Sequence, residues 1–146
     1  MQASDRAPEV FVHVRGGDGF KQISRANAEI AKHAVGRTEV VKWKSRDGRE
    51  IEGLLHYPID YQPGQKVPLI LNIHGGPAGV FQQTYVGGRG SYPLASFMAK
   101  GYAILRPNPR GSSGYGAEFR RANIKDWAGG DYDDLMTGVD HVIAMG

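Results

Sequence analysis

The apolar run VPLILNI at residues 67–73 restricts the possible folds of this chain more than any other segment. Its apolar residues do not alternate with polar ones, which is typical of a strand buried on both faces of a largely parallel sheet. Such a strand needs a helix on each side of the sheet. A chain of 146 residues, 40% of them hydrophobic, is long enough for one modest core of this kind. We therefore expect an α/β fold.

The segments on either side of this run predict the order of the other elements. EVVKWKS and EIEGLLHYP flank an Asp47-Gly48 turn and predict a β-hairpin. SYPLASFMAKGY predicts a helix, with Ser91 in the N-cap region and a stop at Lys100-Gly101. YAILRPN predicts the next strand, and GGDYDDLMTGVDHVIAMG predicts an amphipathic helix with apolar positions at Leu135, Val139, Val142 and Ile143. This order is the opening of an α/β sheet.

The first 36 residues have a different character. EVFVHV alternates between two faces, RGGDGF is a glycine-rich turn, and FKQIS supplies a return strand. RANAEIAKHAVGR is polar and irregular and is interpreted as a linker. A two-stranded unit is only marginally stable alone, so we expect this hairpin to belong to a larger sheet that the chain does not contain.

The composition excludes several classes of function. The chain has no cysteine, which excludes disulfides and cysteine nucleophiles and leaves both cytoplasm and periplasm open. The net charge of +3 is spread singly, so we expect no nucleic-acid partner. No apolar run reaches the ~20 residues of a membrane span, and the N-terminus lacks the basic and apolar regions of a signal peptide. We expect neither a membrane partner nor a cofactor.

The turn HGGP after the apolar strand is suited to an anion, because glycines let neighbouring backbone N–H groups point the same way. The chain lacks G-x-x-x-x-G-K-[ST], and Gly111, Gly114 and Gly116 do not have the G-x-G-x-x-G spacing, so a nucleotide site is poorly supported. The remaining interpretation is an oxyanion hole, as in the HGGG-type loop after the third strand of α/β-hydrolases. The structural alternative is a tight turn in which His74 bonds the backbone, and the two roles are compatible.

Four blocks together carry a family resemblance: EVVKWKSRDGREIEGLLHYP, VPLILNIHGGP, MAKGYAILRPNPRGSSGYG and DWAGGDYDDLMTGVD. From about Arg37 to its end, the chain resembles the first half of the catalytic domain of the prolyl oligopeptidase family of serine peptidases. The acylaminoacyl-peptidase and dipeptidyl-peptidase branches are the most similar. PEVFVHVRGGDGFKQIS resembles the end of the β-propeller that precedes this domain in the family. The expected division is therefore 1–36, propeller end and linker, and 37–146, the N-terminal half of an α/β-hydrolase domain.

The resemblance also implies roles for the turn residues. The Gly76 N–H is expected to face the oxyanion, with Gly75 and His74 supporting the loop. In some relatives a tyrosine stands at the position of His74 and donates through its hydroxyl. The implied activity is hydrolysis of short peptides through an acyl-enzyme, without metal or cofactor.

No G-x-S-x-G nucleophile turn occurs in the chain, since Ser112 and Ser113 lie in GSSGYG, where Tyr115 takes the place of the last glycine. In the family the Ser, Asp or Glu, and His of the triad all follow the oxyanion loop, so we expect them beyond Gly146. The expected partners are a peptide substrate and the remaining catalytic domain and propeller of the parent chain. The chain alone is expected to be inactive.

Three alternatives remain open. An HGG-type carboxylesterase or lipase shares the oxyanion loop, although the SRDG hairpin and RGSSGYG loop fit peptidases better. A non-catalytic α/β-hydrolase-like binding protein would have lost its serine. A small domain that folds alone is disfavoured, because VPLILNI needs neighbours on both edges and both faces. We expect the isolated chain to be marginally stable or prone to aggregation.

The other chemically active residues have simpler explanations. His13 and His56 lie in strand patterns and His33 in the linker, while His141 and Asp140 are adjacent on a helix and do not face each other. Acidic residues are favoured at a helix start, which accounts for Asp131, Asp133 and Asp134 without a metal. We predict that Arg110 contacts one of these aspartates and ties RGSSGYG to the last helix. Aromatic residues are mostly core residues, and pocket lining is the alternative for Phe81, Tyr85, Tyr92, Tyr115 and Trp127.

Overall fold

The computed structural model describes residues 1–88 and 90–146. Its main feature is a four-stranded mixed sheet formed by the region that the sequence assigns to an α/β fold. The elements are β1 (Phe11–Val12), β2 (Lys21–Gln22), β3 (Thr38–Lys44), β4 (Glu50–His56), β5 (Leu69–Leu71), α1 (Leu94–Ala99), β6 (Ala103–Asn108), α2 (Ala117–Arg121) and α3 (Gly130–Ala144), with a 3₁₀ turn at Ile30–Lys32.

The sheet has the strand order β3-β4-β6-β5. β3 and β4 form the predicted hairpin, with Val41 opposite Gly53, and β4 also pairs antiparallel with β6. β5 pairs with β6 in parallel, with Ile70 opposite Ile104. The carboxyl ends of β5 and β6 therefore lie side by side at one edge of the sheet.

Both faces of the sheet are covered by helices, as the apolar run predicts. Neighbouring residues of a strand point to opposite faces, so Ile104 and Leu105 belong to different cores. The core on the α3 side is built from Val41, Trp43, Ile51, Leu55, Tyr57, Leu105 and Phe119, with Val139 and Val142 of α3 packed against it. The core on the α1 side is built from Val86, Met98 and Ile104, with Ile70, Leu94 and Phe97.

The apolar run itself forms a shorter and less buried strand than its sequence predicts. Only Leu69–Leu71 has strand structure, and all three residues are half-buried. The reason is position: in the sheet described, β5 is an edge strand that pairs only with β6. Its two faces are nevertheless used, since Leu69 and Leu71 pack on the α3 side and Ile70 on the α1 side.

The helices agree with the sequence in place and differ in detail. α1 begins after Pro93 without a side-chain cap, so Ser91 is not its cap, and the chain leaves it at Lys100-Gly101 as predicted. On α3, Ile143 was expected on the buried face with Val142, but it is 68% exposed, while Val142 packs against the core. α2 was not predicted, because five residues with only Phe119 buried are too few to show a helical period.

The N-terminal region forms the predicted hairpin, reduced to two residue pairs between β1 and β2. Its apolar side chains are mostly in solvent, namely Val10, Val12, Val14, Phe20 and Ile23. Residues 1–8 contact the segment that precedes α1, where the Val86 N–H donates to the Ser4 carbonyl at 3.1 Å. Among the described residues, no helix is both long enough and apolar enough to cross a membrane.

Candidate active site

Two loops meet where β5 and β6 end. We call residues 74–81, which follow β5, the glycine loop, and residues 110–116, which follow β6, the serine loop. The carboxyl edge of a parallel pair is where α/β proteins place their sites. The three residues that the sequence assigns to an oxyanion hole, His74, Gly75 and Gly76, therefore lie at this edge.

The backbone of the glycine loop requires glycine at one position. Gly76 has φ +124°, and an added Cβ would lie 2.9 Å from the Gly79 nitrogen. L-residues rarely adopt this conformation. Gly75 and Gly76 are both exposed, and within the described residues their N–H groups have no acceptor. Such donors are open to an oxygen atom of a ligand.

The serine loop holds the glycine loop by hydrogen bonds. Ser113 donates through its hydroxyl to the Ala78 carbonyl at 2.6 Å and through its N–H to the Gly79 carbonyl at 3.1 Å. His74 contacts Ser112, with Nε2 and Oγ 3.1 Å apart. Its Nδ1 also lies 3.2 Å from the Gly75 carbonyl, so the imidazole contacts the backbone, as the structural alternative predicts, and a side chain of the other loop as well.

The His74–Ser112 contact has the direction of a structural bond. The Ser112 hydroxyl donates to the Pro109 carbonyl at 2.6 Å, so its proton is directed at the backbone rather than at the His74 Nε2, which lies 3.1 Å away. A nucleophilic serine needs the opposite arrangement, in which histidine accepts the hydroxyl proton. Ser112 is also fully buried. The geometry is therefore that of a loop anchor.

The predicted contact of Arg110 with the last helix is confirmed. Its partner among the three candidate aspartates is Asp134, which is fully buried. Arg110 also contacts Asp47 of the β3–β4 turn at 2.9 Å. The hydrogen bonds of both carboxylates raise the pKa of Arg110, and its bond to Asp47 lowers the pKa of that carboxyl. The serine loop is thereby fixed to α3 and to the hairpin turn.

Sequence reasoning missed two polar residues that hold the glycine loop, Asn108 and Ser113. Asn108, the last residue of β6, is 2% exposed and bonds the Phe81 backbone through its amide. The sequence signal that could have identified Asn108 is its position, because it is a polar residue at the end of a predicted buried strand and just before a glycine-rich loop.

The aromatic residues divide between packing and exposure. Phe81 packs edge-on against His74, and together with Tyr115 it borders a cleft of about 300 Å³ over Val40 and Leu54. Tyr92 borders a separate cleft of about 420 Å³ along β5, and Tyr85 is half-buried. Trp127 was interpreted as a core residue, but that prediction is wrong, since its side chain is 71% exposed.

The remaining histidines and acids lie in separate environments. His56 is buried and His13 and His33 are exposed, while His141 stacks on Trp43 with ring centroids 6.3 Å apart. Asp131 and Asp133 lie in the first turn of α3, as the helix-start interpretation predicts. In residues 1–88 and 90–146 no group of three or more acidic or histidine side chains is placed to hold a metal ion.

A mixed sheet with helices on both faces and a glycine loop after the parallel strand defines part of an α/β domain of the hydrolase type. Residues 91–146 match the model of the prolyl oligopeptidase family. The chain is 38% identical over 140 residues to an uncharacterized peptidase, YuxL, of Bacillus subtilis, covering 95% of this chain and 20% of that protein. It is 31% identical over 100 residues to a probable dipeptidyl-peptidase 5 of Emericella nidulans, covering 68% of this chain and 13% of that protein.

Among solved structures, the acylaminoacyl peptidase of Pyrococcus horikoshii superposes with a TM-score of 0.82 at 26% identity, over 99% of this chain and 22% of that one. The chain belongs to the prolyl oligopeptidase family of serine peptidases. The chain spans about a fifth of the length of the Bacillus subtilis relative and less of the Emericella nidulans one. The resemblance inferred from the four sequence blocks is therefore confirmed.

Proposed function

We propose that this chain supplies the oxyanion loop of a serine peptidase that releases short units from peptides, of the acylaminoacyl- or dipeptidyl-peptidase type. The observation that carries the proposal is the exposed pair of N–H groups at Gly75 and Gly76, held at the carboxyl edge of the sheet. The family match supports the reaction class. The names of the Emericella nidulans and Pyrococcus horikoshii proteins, a probable dipeptidyl-peptidase and an acylaminoacyl peptidase, support the substrate class.

In this proposal a serine hydroxyl attacks the scissile carbonyl carbon, and a general base takes the hydroxyl proton. Negative charge develops on the carbonyl oxygen, where the Gly76 N–H donates a hydrogen bond that is strongest in the transition state. Collapse of the intermediate expels the amine, which receives the proton, and leaves an acyl-serine that water hydrolyses. Gly76 acts by position alone, since it has no side chain.

The proposal assigns 37–146 to the first half of the catalytic domain and 1–36 to a propeller end and linker. Since G-x-S-x-G is absent from these residues, the triad is assigned to the rest of a longer protein. The exposed apolar residues of the β1–β2 hairpin support a neighbouring sheet for the N-terminal region.

The test compares wild-type full-length protein with Gly76→Ala. The alanine keeps the N–H group but strains the backbone at φ +124°, so the N–H is displaced. We expect kcat for acyl-peptide nitroanilides to fall about 100-fold with little change in KM, the pattern for an interaction made in the transition state. The wild-type rates on acyl-peptide nitroanilides and on short nitrophenyl esters are also compared. Hydrolysis of the esters alone would indicate an esterase, whereas hydrolysis of the nitroanilides would indicate a peptidase.

Gly64→Ala is the matched control. Gly64 also has positive φ, at +83°, and lies in a surface loop where an added Cβ meets nothing within 4 Å. The Gly64→Ala variant introduces similar backbone strain away from the site, so it should leave kcat unchanged. Equal activity of the Gly76 variant and the control would contradict the oxyanion role, and a wild-type protein inert to nitroanilides and fluorophosphonates would contradict the peptidase assignment.

A further inference from the structure

We infer that Asn108 is a positioning residue for the proposed oxyanion loop, because it fixes the far end of the glycine loop to β6. The inference rests on the proposed function, since it names a residue that holds the N–H groups of Gly75 and Gly76 in place. Asn108 does not touch the reacting atoms. It acts through the backbone of Phe81.

The Asn108 amide both accepts from and donates to the backbone of a single residue, Phe81. Its Oδ1 accepts from the Phe81 N–H at 2.7 Å, and its Nδ2 donates to the Phe81 carbonyl at 3.1 Å. This is the pattern of a pair of strand residues, made here by a side chain across 27 positions of sequence. Two bonds to one residue fix both its position and its orientation.

A chain of hydrogen bonds fixes the orientation of the Asn108 amide. Its Nδ2 also donates to the Tyr115 hydroxyl at 2.9 Å, and that hydroxyl donates to Glu52 Oε1 at 2.9 Å. The Glu52 carboxylate only accepts, so the Tyr115 oxygen must accept from Asn108. The nitrogen is thereby set toward Tyr115, and every polar atom of the Asn108 amide is satisfied.

The anchors leave only the glycine part of the loop free. One end follows β5, where the Asn72 N–H donates to the Leu105 carbonyl at 2.9 Å, and the other end is held at Phe81. Ser113 holds Ala78 and Gly79 between them. Glycine backbones are the most mobile, so fixed ends are what orients the N–H groups of Gly75 and Gly76. Preorganised donors are the source of oxyanion stabilisation.

The contacts of Asn108 also distinguish it from an ordinary core residue. A buried amide that served stability alone needs only satisfied hydrogen bonds. The Asn108 amide instead bonds Phe81 of the loop that carries the candidate donors and Tyr115 of the serine loop that supports it. Loss of this side chain should therefore change the transition state more than substrate binding.

The decisive variant is Asn108→Asp in the full-length protein. Aspartate keeps the shape but replaces the donating nitrogen with an acceptor that faces the Phe81 carbonyl and the Tyr115 hydroxyl. We expect kcat for an acyl-peptide nitroanilide to fall about tenfold or more, with KM within about twofold. The rate of phosphonylation by a fluorophosphonate, which passes through the same oxyanion geometry, should fall in parallel.

Asn27→Asp is the matched control, because the Asn27 amide also donates to a backbone carbonyl, that of Pro8, but in the N-terminal region. It should leave kcat and phosphonylation unchanged. If Asn108→Asp does not fold, Tyr115→Phe removes the two hydrogen bonds of the Tyr115 hydroxyl, to Asn108 and to Glu52. Ser113→Ala removes the separate side-chain bond to the Ala78 carbonyl. Each variant should lower kcat about two- to fivefold without changing KM.

The possible outcomes separate the two proposals. A lowered melting temperature with unchanged kcat and phosphonylation, in Asn108→Asp or in both Ser113→Ala and Tyr115→Phe, overturns the positioning role and leaves the peptidase proposal standing. A wild-type protein that fluorophosphonate does not label overturns the proposed function itself. A fall in kcat and phosphonylation together, with KM preserved, supports the positioning role.

Discussion

Arg110 and Asp134 form a bidentate ion pair in which the guanidinium Nε and Nη2 donate to the two carboxylate oxygens at 2.9 and 2.7 Å. The Arg110 backbone N–H adds a third bond to the same carboxylate at 2.8 Å. Asp134 is fully buried and Arg110 is nearly so. The pair connects the serine loop to α3, and the loop in turn supports the candidate oxyanion site.

Removal of the charge from Asp134 should destabilise the protein. Asp134→Asn keeps the shape but leaves the buried Arg110 without its main carboxylate, which typically costs about 3–5 kcal/mol for a broken buried pair. Thermal unfolding of the full-length protein measures the loss. Asp133→Asn is the control, because Asp133 contacts the exposed Arg46 at 3.4 Å and should cost less than about 1 kcal/mol. Equal effects of the two variants would contradict a structural role for the buried pair.

His56 should make stability depend on pH. Burial, together with the positive charge of Arg106, lowers the pKa of His56 from 6.5 to about 4. The unfolded state therefore binds the proton more readily, so stability is complete above pH 6.5 and falls as the pH drops toward 4. The shift corresponds to about 3 kcal/mol.

The test is urea unfolding between pH 4 and 7 for wild type and His56→Gln, which cannot titrate in this range. The difference in stability between the two proteins should shrink as the pH falls. His33→Gln, in the exposed linker, should follow the wild-type curve. Parallel curves for wild type and His56→Gln would show that His56 is not the titrating group.

Gly138 on α3 should not tolerate alanine. An added Cβ would lie 2.6 Å from a ring carbon of Trp43, whose indole N–H donates to the Asp134 carbonyl at 2.9 Å. Trp43 is 5% exposed, and its indole is held by that hydrogen bond. Overpacking costs about 1–3 kcal/mol, which exceeds the gain of up to about 1 kcal/mol from replacing a helical glycine.

We therefore expect a lower melting temperature for Gly138→Ala. Asp140→Ala, at an exposed position of the same helix, should leave the melting temperature unchanged or slightly raised. Stabilisation by Gly138→Ala would mean that helix propensity outweighs the contact with Trp43.

The 146 residues alone should hydrolyse no activated ester, because oxyanion donors without a nucleophile do not form an acyl-enzyme. Fluorophosphonate should label the full-length protein but neither Ser112 nor Ser113 of the isolated chain. Mass spectrometry of the treated chain checks this. A label on Ser112, or ester turnover that Gly76→Pro abolishes, would contradict the placement of the nucleophile outside these residues.

Local patterns were sufficient for much of the fold. The β3–β4 hairpin, β6, α1 and α3 follow from alternation, helical period and turn residues, which depend on neighbours a few positions away. The Arg110 contact also followed, because an arginine in a loop and acids at a helix start are complementary. By contrast, the exposure of Ile143 and Trp127 depends on which elements pack on them, and no local pattern contains that information.

The amino-acid sequence alone determined the strand that ends in a glycine turn, because apolar runs and glycine conformations are properties of consecutive residues. The tertiary structure decided which polar groups hold that turn. Asn108 reaches Phe81, and Arg110 reaches Asp134, only because β5, β6 and α3 pack in one particular register. A hydrogen bond needs atoms about 3 Å apart, and distances between segments remote in sequence are set by the packing of the whole domain.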